Sequence, residues 1–259
     1  MRPLWTGAIG FGLVNIPVKL YSATESSSLD FDMLDKHDNS NIKFKRVNEK
    51  SGKEVNYEDI VKGYLIESKY VILDKKDFEK ASAVKTKLIE ITDFVSAEDI
   101  DSVYYDTPYY LVPDKQGTRA YALLREALKK TKKAGVATFV MRNKEALAVI
   151  RAQDDVIILN KIRFEEEIRE KEELKLPAKS EIKPAELKMA ISLIDQLSGN
   201  FDISNYKDTY TEELLKVINA KAKGVKTKVP QMKVVHSKST DLMAQLKESL
   251  GSGKKKKAS

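Results

Sequence analysis

Lysine dominates the chemistry available to this 259-residue chain. Of its 46 basic residues eight are arginine and the rest are lysine, against 39 Asp and Glu, for a formal net charge of +7. An ammonium is a compact point charge suited to phosphate, whereas reading a base edge favours the bidentate arginine fork. Cations of this kind grip a nucleic-acid backbone with little regard for sequence. They are also unevenly placed. Residues 219–259 hold eleven lysines (221, 223, 226, 228, 233, 238, 247 and 254–257) against Asp241 and Glu248, so the remaining body is close to neutral. A second cationic group lies at 42–57, where Ile42 and Phe44 share one parity with Lys43 and Lys45 on the other, and Arg46 and Lys50 continue toward a Ser51-Gly52 turn. That pattern predicts a hairpin with one cationic face.

Other chemistries have little material. With no cysteine, a disulfide scaffold, a thiolate metal site and a thiol nucleophile are excluded, and a reducing compartment is expected. His37 and His236 are the only histidines, too few for a histidine-rich metal centre. The glycines of Gly7-Ala8-Ile9-Gly10-Phe11-Gly12 have the wrong spacing for a dinucleotide loop, and no Gly-Lys-Ser/Thr triplet occurs. They read instead as small residues where a strand packs closely. The acids of Asp30-Phe31-Asp32, Asp154-Asp155 and Glu165–Glu167 read as solvated loop features, with no nucleophile or phosphate grip beside them. Neither a metal nor a cofactor is therefore expected. A lysine Schiff base remains as an alternative chemistry, since a desolvated lysine leaves no mark in a sequence.

The elements that must position these residues follow from periodicity. Pro3 to Val18 is free of charge, but Pro17 and three glycines interrupt it, so it suits neither a leader nor a membrane helix. Alternation of Trp5, Ile9, Phe11 and Leu13, and then of Val14, Ile16, Val18 and Leu20, predicts two core strands. Residues 23–41 read as a loop. Further strands are predicted at 70–73, 88–95, 109–112, 136–141, 146–152 and 156–159. One helix is predicted at 118–133, ended by Gly135. Many strands, short turns and one inserted helix argue for a β-barrel or sandwich over the first 165 residues or so. Beyond Pro177 the pattern turns helical: Pro184 opens a helix with the stripe Leu187, Ile191, Ile194 and Leu197, and Thr209 with Glu212 makes a capping box for another, ending before Gly224. A short amphipathic segment follows at Leu242, Met243, Leu246 and Leu250, before Gly251-Ser252-Gly253 and the last lysines.

Several stretches, in order along the whole chain, resemble bacterial Ku proteins: Leu4 to Tyr21, Tyr57-Glu58-Asp59-Ile60-Val61-Lys62-Gly63-Tyr64, Tyr70 to Leu73, Tyr121 to Leu128, and Asp241-Leu242-Met243 with Leu246 and Leu250. The resemblance implies a mixed α+β, mainly β fold in three parts. Residues 1–175 would be a β-barrel core with an extended bridge at about 36–64, residues 176–224 a helical arm, and residues 225–259 a lysine-rich tail. It implies a non-enzymatic, bacterial, cytoplasmic and nucleoid-associated protein whose two identical subunits form a ring on double-stranded DNA ends. In non-homologous end joining such a ring recruits and stimulates the ATP-dependent DNA ligase D. The expected DNA-facing residues are Lys36, Lys43, Lys45, Arg46, Lys50, Lys53 and Lys62, with Lys221, Lys223, Lys226, Lys228 and Lys254, Lys255, Lys256 and Lys257 behind them. The competing readings are a general architectural DNA- or RNA-binding protein and an end-processing lyase; no membrane partner is expected.

Overall fold

A computed structural model describes residues 1–81, 87–142, 144–177, 182–225 and 242–256. Its centre is a closed barrel of seven strands: β1 (Trp5–Phe11), β2 (Val14–Ser22), β5 (Leu88–Ser96), β6 (Tyr105–Pro113), β7 (Lys133–Met141), β8 (Lys144–Gln153) and β9 (Val156–Ile162). The order around the barrel is β1-β2-β6-β9-β8-β7-β5. Every pairing is antiparallel except the one that closes the ring, where β1 runs parallel to β5 with Ala8 opposite Leu88. A sheet closed on itself has no free edge to pair with another chain.

The interior is built from one parity of each strand. Ile16, Val18 and Leu20 are fully buried with Ile9, Ile89, Leu111, Ala148, Ile150, Ile157 and Leu159. Each Val, Leu or Ile among them contributes about 1.5–3 kcal/mol on burial. Helix α2 (Thr118–Thr131) adds Tyr121, Leu124 and Leu128 to the same cluster. The Tyr121 hydroxyl donates to the Leu111 carbonyl at 2.7 Å and accepts the Ile157 N–H at 2.7 Å. Leu111 and Ile157 are register partners, so the helix closes the end of the β6–β9 ladder. A smaller cluster of Ala134, Val149 and Ile162 takes the opposite parity and packs against Ile100, Tyr104 and Tyr105.

The glycines behave as strand contacts. A Cβ on Gly7 would run into the Trp5 ring and the Lys87 carbonyl, and one on Gly10 would lie 2.8 Å from Leu88. Gly12, with φ +55°, serves the turn. That turn corrects the alternation: Leu13 and Val14 are exposed, because the chain reverses there. Gly135 does not end α2. Lys132 ends it in the left-handed region (φ 55°), while Gly135 sits within β7, where a Cβ would come within 3.1 Å of Ile91.

Between β2 and β5, after a single 3-10 turn (Tyr57–Asp59), the described residues form the hairpin of β3 (Lys62–Ile66) and β4 (Lys69–Leu73) and the short helix α1 (Lys75–Ala81), of which sequence patterning found only β4. The β3–β4 pair forms its own sheet, turning through Glu67 and Ser68, both with positive φ.

The chain divides into two compact units, residues 1–26 with 30–170 and residues 27–29 with 171–259. In the second, α3 (Pro184–Leu197) packs against α5 (Leu242–Lys256), while α4 (Thr209–Ala222) has no buried residue. The α3 stripe of Leu187, Ile191, Ile194 and Leu197 is the face left open. Asp208, one residue before the predicted Thr209, caps α4 by accepting the Thr211 N–H at 3.1 Å. Helix α5 continues through Gly251-Ser252-Gly253, where sequence patterning ends the segment at Leu250.

Candidate nucleic-acid interface

No residue from Ala23 to Ala81 is buried. Within this stretch the predicted 42–57 hairpin is reduced to isolated rungs. Leu34 bridges to Asn41 and Val47 to Glu54, and no continuous ladder joins them. The physical reason is the apolar parity: Phe44 is 78% exposed and Ile42 45%, so no core anchors a ladder. Two compact turns take its place.

The first is organised by Asp35, whose backbone exchanges hydrogen bonds with Ser40 and Asn39 and whose carboxylate accepts the His37 N–H at 2.8 Å. Lys36 lies in this turn. The Ser40 N–H donates to Asp38 at 2.9 Å and holds that carboxyl below the ordinary range, and Asp35 and Asp38 flank Lys36 along the chain. The second turn is organised by Asn48. Its side-chain oxygen accepts the Lys50 and Ser51 N–H groups at 3.0 Å each, and its N–H donates to the Lys53 carbonyl. This turn presents Lys50 and Lys53, both exposed.

At its base Lys45 donates to Glu54 at 2.6 Å, and the Arg46 guanidinium lies 5.3 Å from the centroid of the Tyr57 ring. The structure thus gathers Lys45, Arg46, Lys50 and Lys53 around one turn, with Lys43 exposed on the irregular segment leading in. Lys62 lies apart, on β3, with its ammonium 4.8 Å from the Phe78 ring centroid. There three cations that sequence patterning passed over join it: Lys75 from α1, and Arg142 and Lys144 from the β7–β8 turn, all lining one depression. Their separation along the chain hides them; the only sign was a basic turn, Arg142-Asn143-Lys144.

Lys221 and Lys223 are exposed at the end of α4, and Lys254, Lys255 and Lys256 fall in the last turns of α5. Lys226, Lys228 and Lys257 lie outside the described residues. Among those described, no cluster of three or more His, Asp or Glu side chains is placed to hold a metal ion, and no helix is long and apolar enough to cross a membrane.

A family model described as the Ku70/Ku80 beta-barrel domain matches residues 10–189, spanning the closed barrel and the cationic stretch together. The chain belongs to the Ku family. Curated relatives match over most of this chain. The non-homologous end joining protein Ku of Opitutus terrae is 42% identical, over 99% of this chain and 95% of its own. The protein of the same name from Coxiella burnetii is 39% identical over 99% and 96%, and that from Archaeoglobus fulgidus 41% over 86% and 89%.

Proposed function

We propose that this Ku-family chain is a non-enzymatic clamp for double-stranded DNA ends in non-homologous end joining, acting as a homodimeric ring. The observation that carries the proposal is the unburied stretch from Ala23 to Ala81. It combines phosphate-type cations at the Asn48 turn with an isolated two-stranded hairpin. Tyr64, Leu65, Ile66, Tyr70, Val71 and Ile72 of that hairpin are all 45–70% exposed. Two strands alone are marginal in water, and an apolar surface of this kind marks an interface. A second copy covers the apolar part; DNA takes the cations.

In this reading the core with its bridge occupies residues 1–175, a helical arm 176–224 and a basic tail 225–259. Lys43, Lys45, Arg46, Lys50, Lys53 and Lys62 line the ring, and Lys36 sits at its margin. The lysines of α4 and the tail add affinity from outside. Contact is with sugar and phosphate, so sequence is ignored and selectivity for ends comes from threading. The same assembly recruits the ATP-dependent ligase D that seals the break, in a cytoplasmic, nucleoid-associated setting.

The test compares a short duplex with both ends open against the same duplex closed by hairpins or bulky caps. Strong binding to the open form alone is expected. Equal binding to both would overturn the clamp and leave a general architectural protein. Borohydride trapping on an abasic duplex is expected to give no covalent adduct; an adduct would make the chain a lyase. Light scattering is expected to give the mass of a dimer, and a monomer at micromolar concentration would remove the ring.

A further inference from the structure

We infer that Arg142, Lys144, Lys62 and Lys75 form a phosphate-binding site on the barrel side of the chain, separate from the cations of the Asn48 turn. The depression they line, between β3, α1 and the β7–β8 turn, has a volume of about 820 Å³. Two acids also line it, Asp74 and Glu79. Asp74 is already committed to the start of α1: its carboxylate accepts the Asp77 N–H at 2.9 Å, and its own N–H donates to Asp77 at 3.0 Å. Four cations therefore outnumber the acids, and among the described residues no ion pair engages Lys75, Arg142 or Lys144.

The site continues beyond that depression. Arg142 and Lys144 also line an adjoining hollow of about 350 Å³ with Tyr109, Phe139 and Lys161, where Glu145 and Glu167 are the acids. The β7–β8 turn thus stands between two concavities and faces both. Arg142 holds φ +52°, the left-handed backbone that the tight hairpin turn between Met141 and Lys144 requires. Its guanidinium offers a fork that matches two phosphate oxygens, with the three ammonium groups as further point charges. Ile60, Val61 and Leu73 line the depression beside the cations, and the whole lining stays open to solvent. The ligand is a phosphate group of a DNA strand, either an internal phosphodiester or a terminal phosphate.

The inference rests on the DNA-end reading, and its test separates the two. The full chain and its Arg142→Gln/Lys144→Gln variant are titrated by anisotropy with an open duplex over a series of KCl concentrations. The variant is expected to bind about tenfold more weakly, with a salt slope smaller by ~2, one unit for each lost contact. Arg142→Lys/Lys144→Arg is expected to restore both. Unchanged affinity and slope in the glutamine variant would overturn the site. So would a loss that the charge-preserving pair fails to restore, because the effect would then lie in turn geometry. Duplexes with 5′-phosphate and 5′-hydroxyl ends distinguish the source. A loss confined to phosphorylated ends assigns a terminal phosphate, and an equal loss on both assigns the backbone. Wild-type binding that ignores end closure, with the variant still weakened, would sink the clamp and leave the phosphate site standing.

Discussion

The Tyr121 hydroxyl donates to the Leu111 carbonyl at 2.7 Å, tying helix α2 to barrel strand β6 by a single buried oxygen. The same oxygen accepts the Ile157 N–H from β9, so one side chain serves two backbone groups that the ladder itself leaves open. Burial raises the phenol's pKa above its ordinary value, which keeps the donating proton in place. Tyr121→Phe strands a buried carbonyl and a buried N–H. The expected cost is about 2–4 kcal/mol, as a lower urea midpoint with an unchanged slope. In the wild type the raised pKa adds stability that is complete below pH 10 and lost as pH rises through the phenol's folded value. The variant lacks that alkaline limb.

Asp106 supplies the acid limb. The hydrogen bond from Lys161 at 3.1 Å, with the charges of Lys161 and Arg163, holds its carboxyl below the ordinary range. A carboxyl lowered in the folded state stabilises above its unfolded value, about 3.9, and that stability is lost as pH falls through the folded value. Denaturation curves of Asp106→Asn and wild type should therefore be fully separated above about pH 4, with the wild type more stable, and converge only as pH falls on through the lowered folded value. Parallel curves across the whole range would show that the pair contributes nothing to the barrel.

Reversing the cations of the first group, with Lys43, Lys45 and Arg46 all changed to Glu, is expected to weaken binding to every duplex sequence alike. The salt slope should fall by about 3, close to one unit per contact. Glu54 gives the complementary change. It holds Lys45 at 2.6 Å, so Glu54→Gln frees an ammonium and should tighten binding a few-fold at low salt. Anisotropy on duplexes of unrelated sequence measures both.

Glycine positions offer a graded series. Gly7→Ala drives a methyl into the Trp5 ring and the Lys87 carbonyl, prying β1 from β5 where the barrel closes. Overpacking of this kind costs about 1–3 kcal/mol or more. Gly12→Ala meets no atom within 4 Å but must hold φ +55°, and should cost about 1 kcal/mol. Thermal unfolding midpoints should rank wild type above Gly12→Ala and Gly12→Ala above Gly7→Ala.

Patterning read the barrel well because its strands bury one parity. Ile16, Val18 and Leu20 announce β2 without help, and Tyr121, Leu124 and Leu128 announce α2 at helical spacing. Of hairpin β3–β4 only the second strand was legible. Tyr64-Leu65-Ile66 and Tyr70-Val71-Ile72 are apolar on both faces, and Glu67-Ser68 turns the chain with left-handed residues of types that seldom signal such a turn. The Asn48 turn was half legible: its cations were visible in order, but their partners Glu54 and Tyr57 depend on how the chain folds back. Lys75, Arg142 and Lys144 stood outside any pattern, since the fold, not local spacing, brings them to one depression with Lys62. In α5 the helix runs through Gly251 and Gly253 against their local preference, and no periodicity forecasts that.

The contrast between a barrel with its own core and a stretch from Ala23 to Ala81 with none has a kinetic consequence. Backbone amides of the barrel should exchange with solvent only on rare opening, whereas those of the stretch should exchange quickly in an unassembled subunit and slow once it is covered. Protection there becomes a gauge of assembly, rising with protein concentration and again with DNA. A protease in limited amounts would cut the same segment first, so subunits that fail to find their place are the ones exposed to clearance.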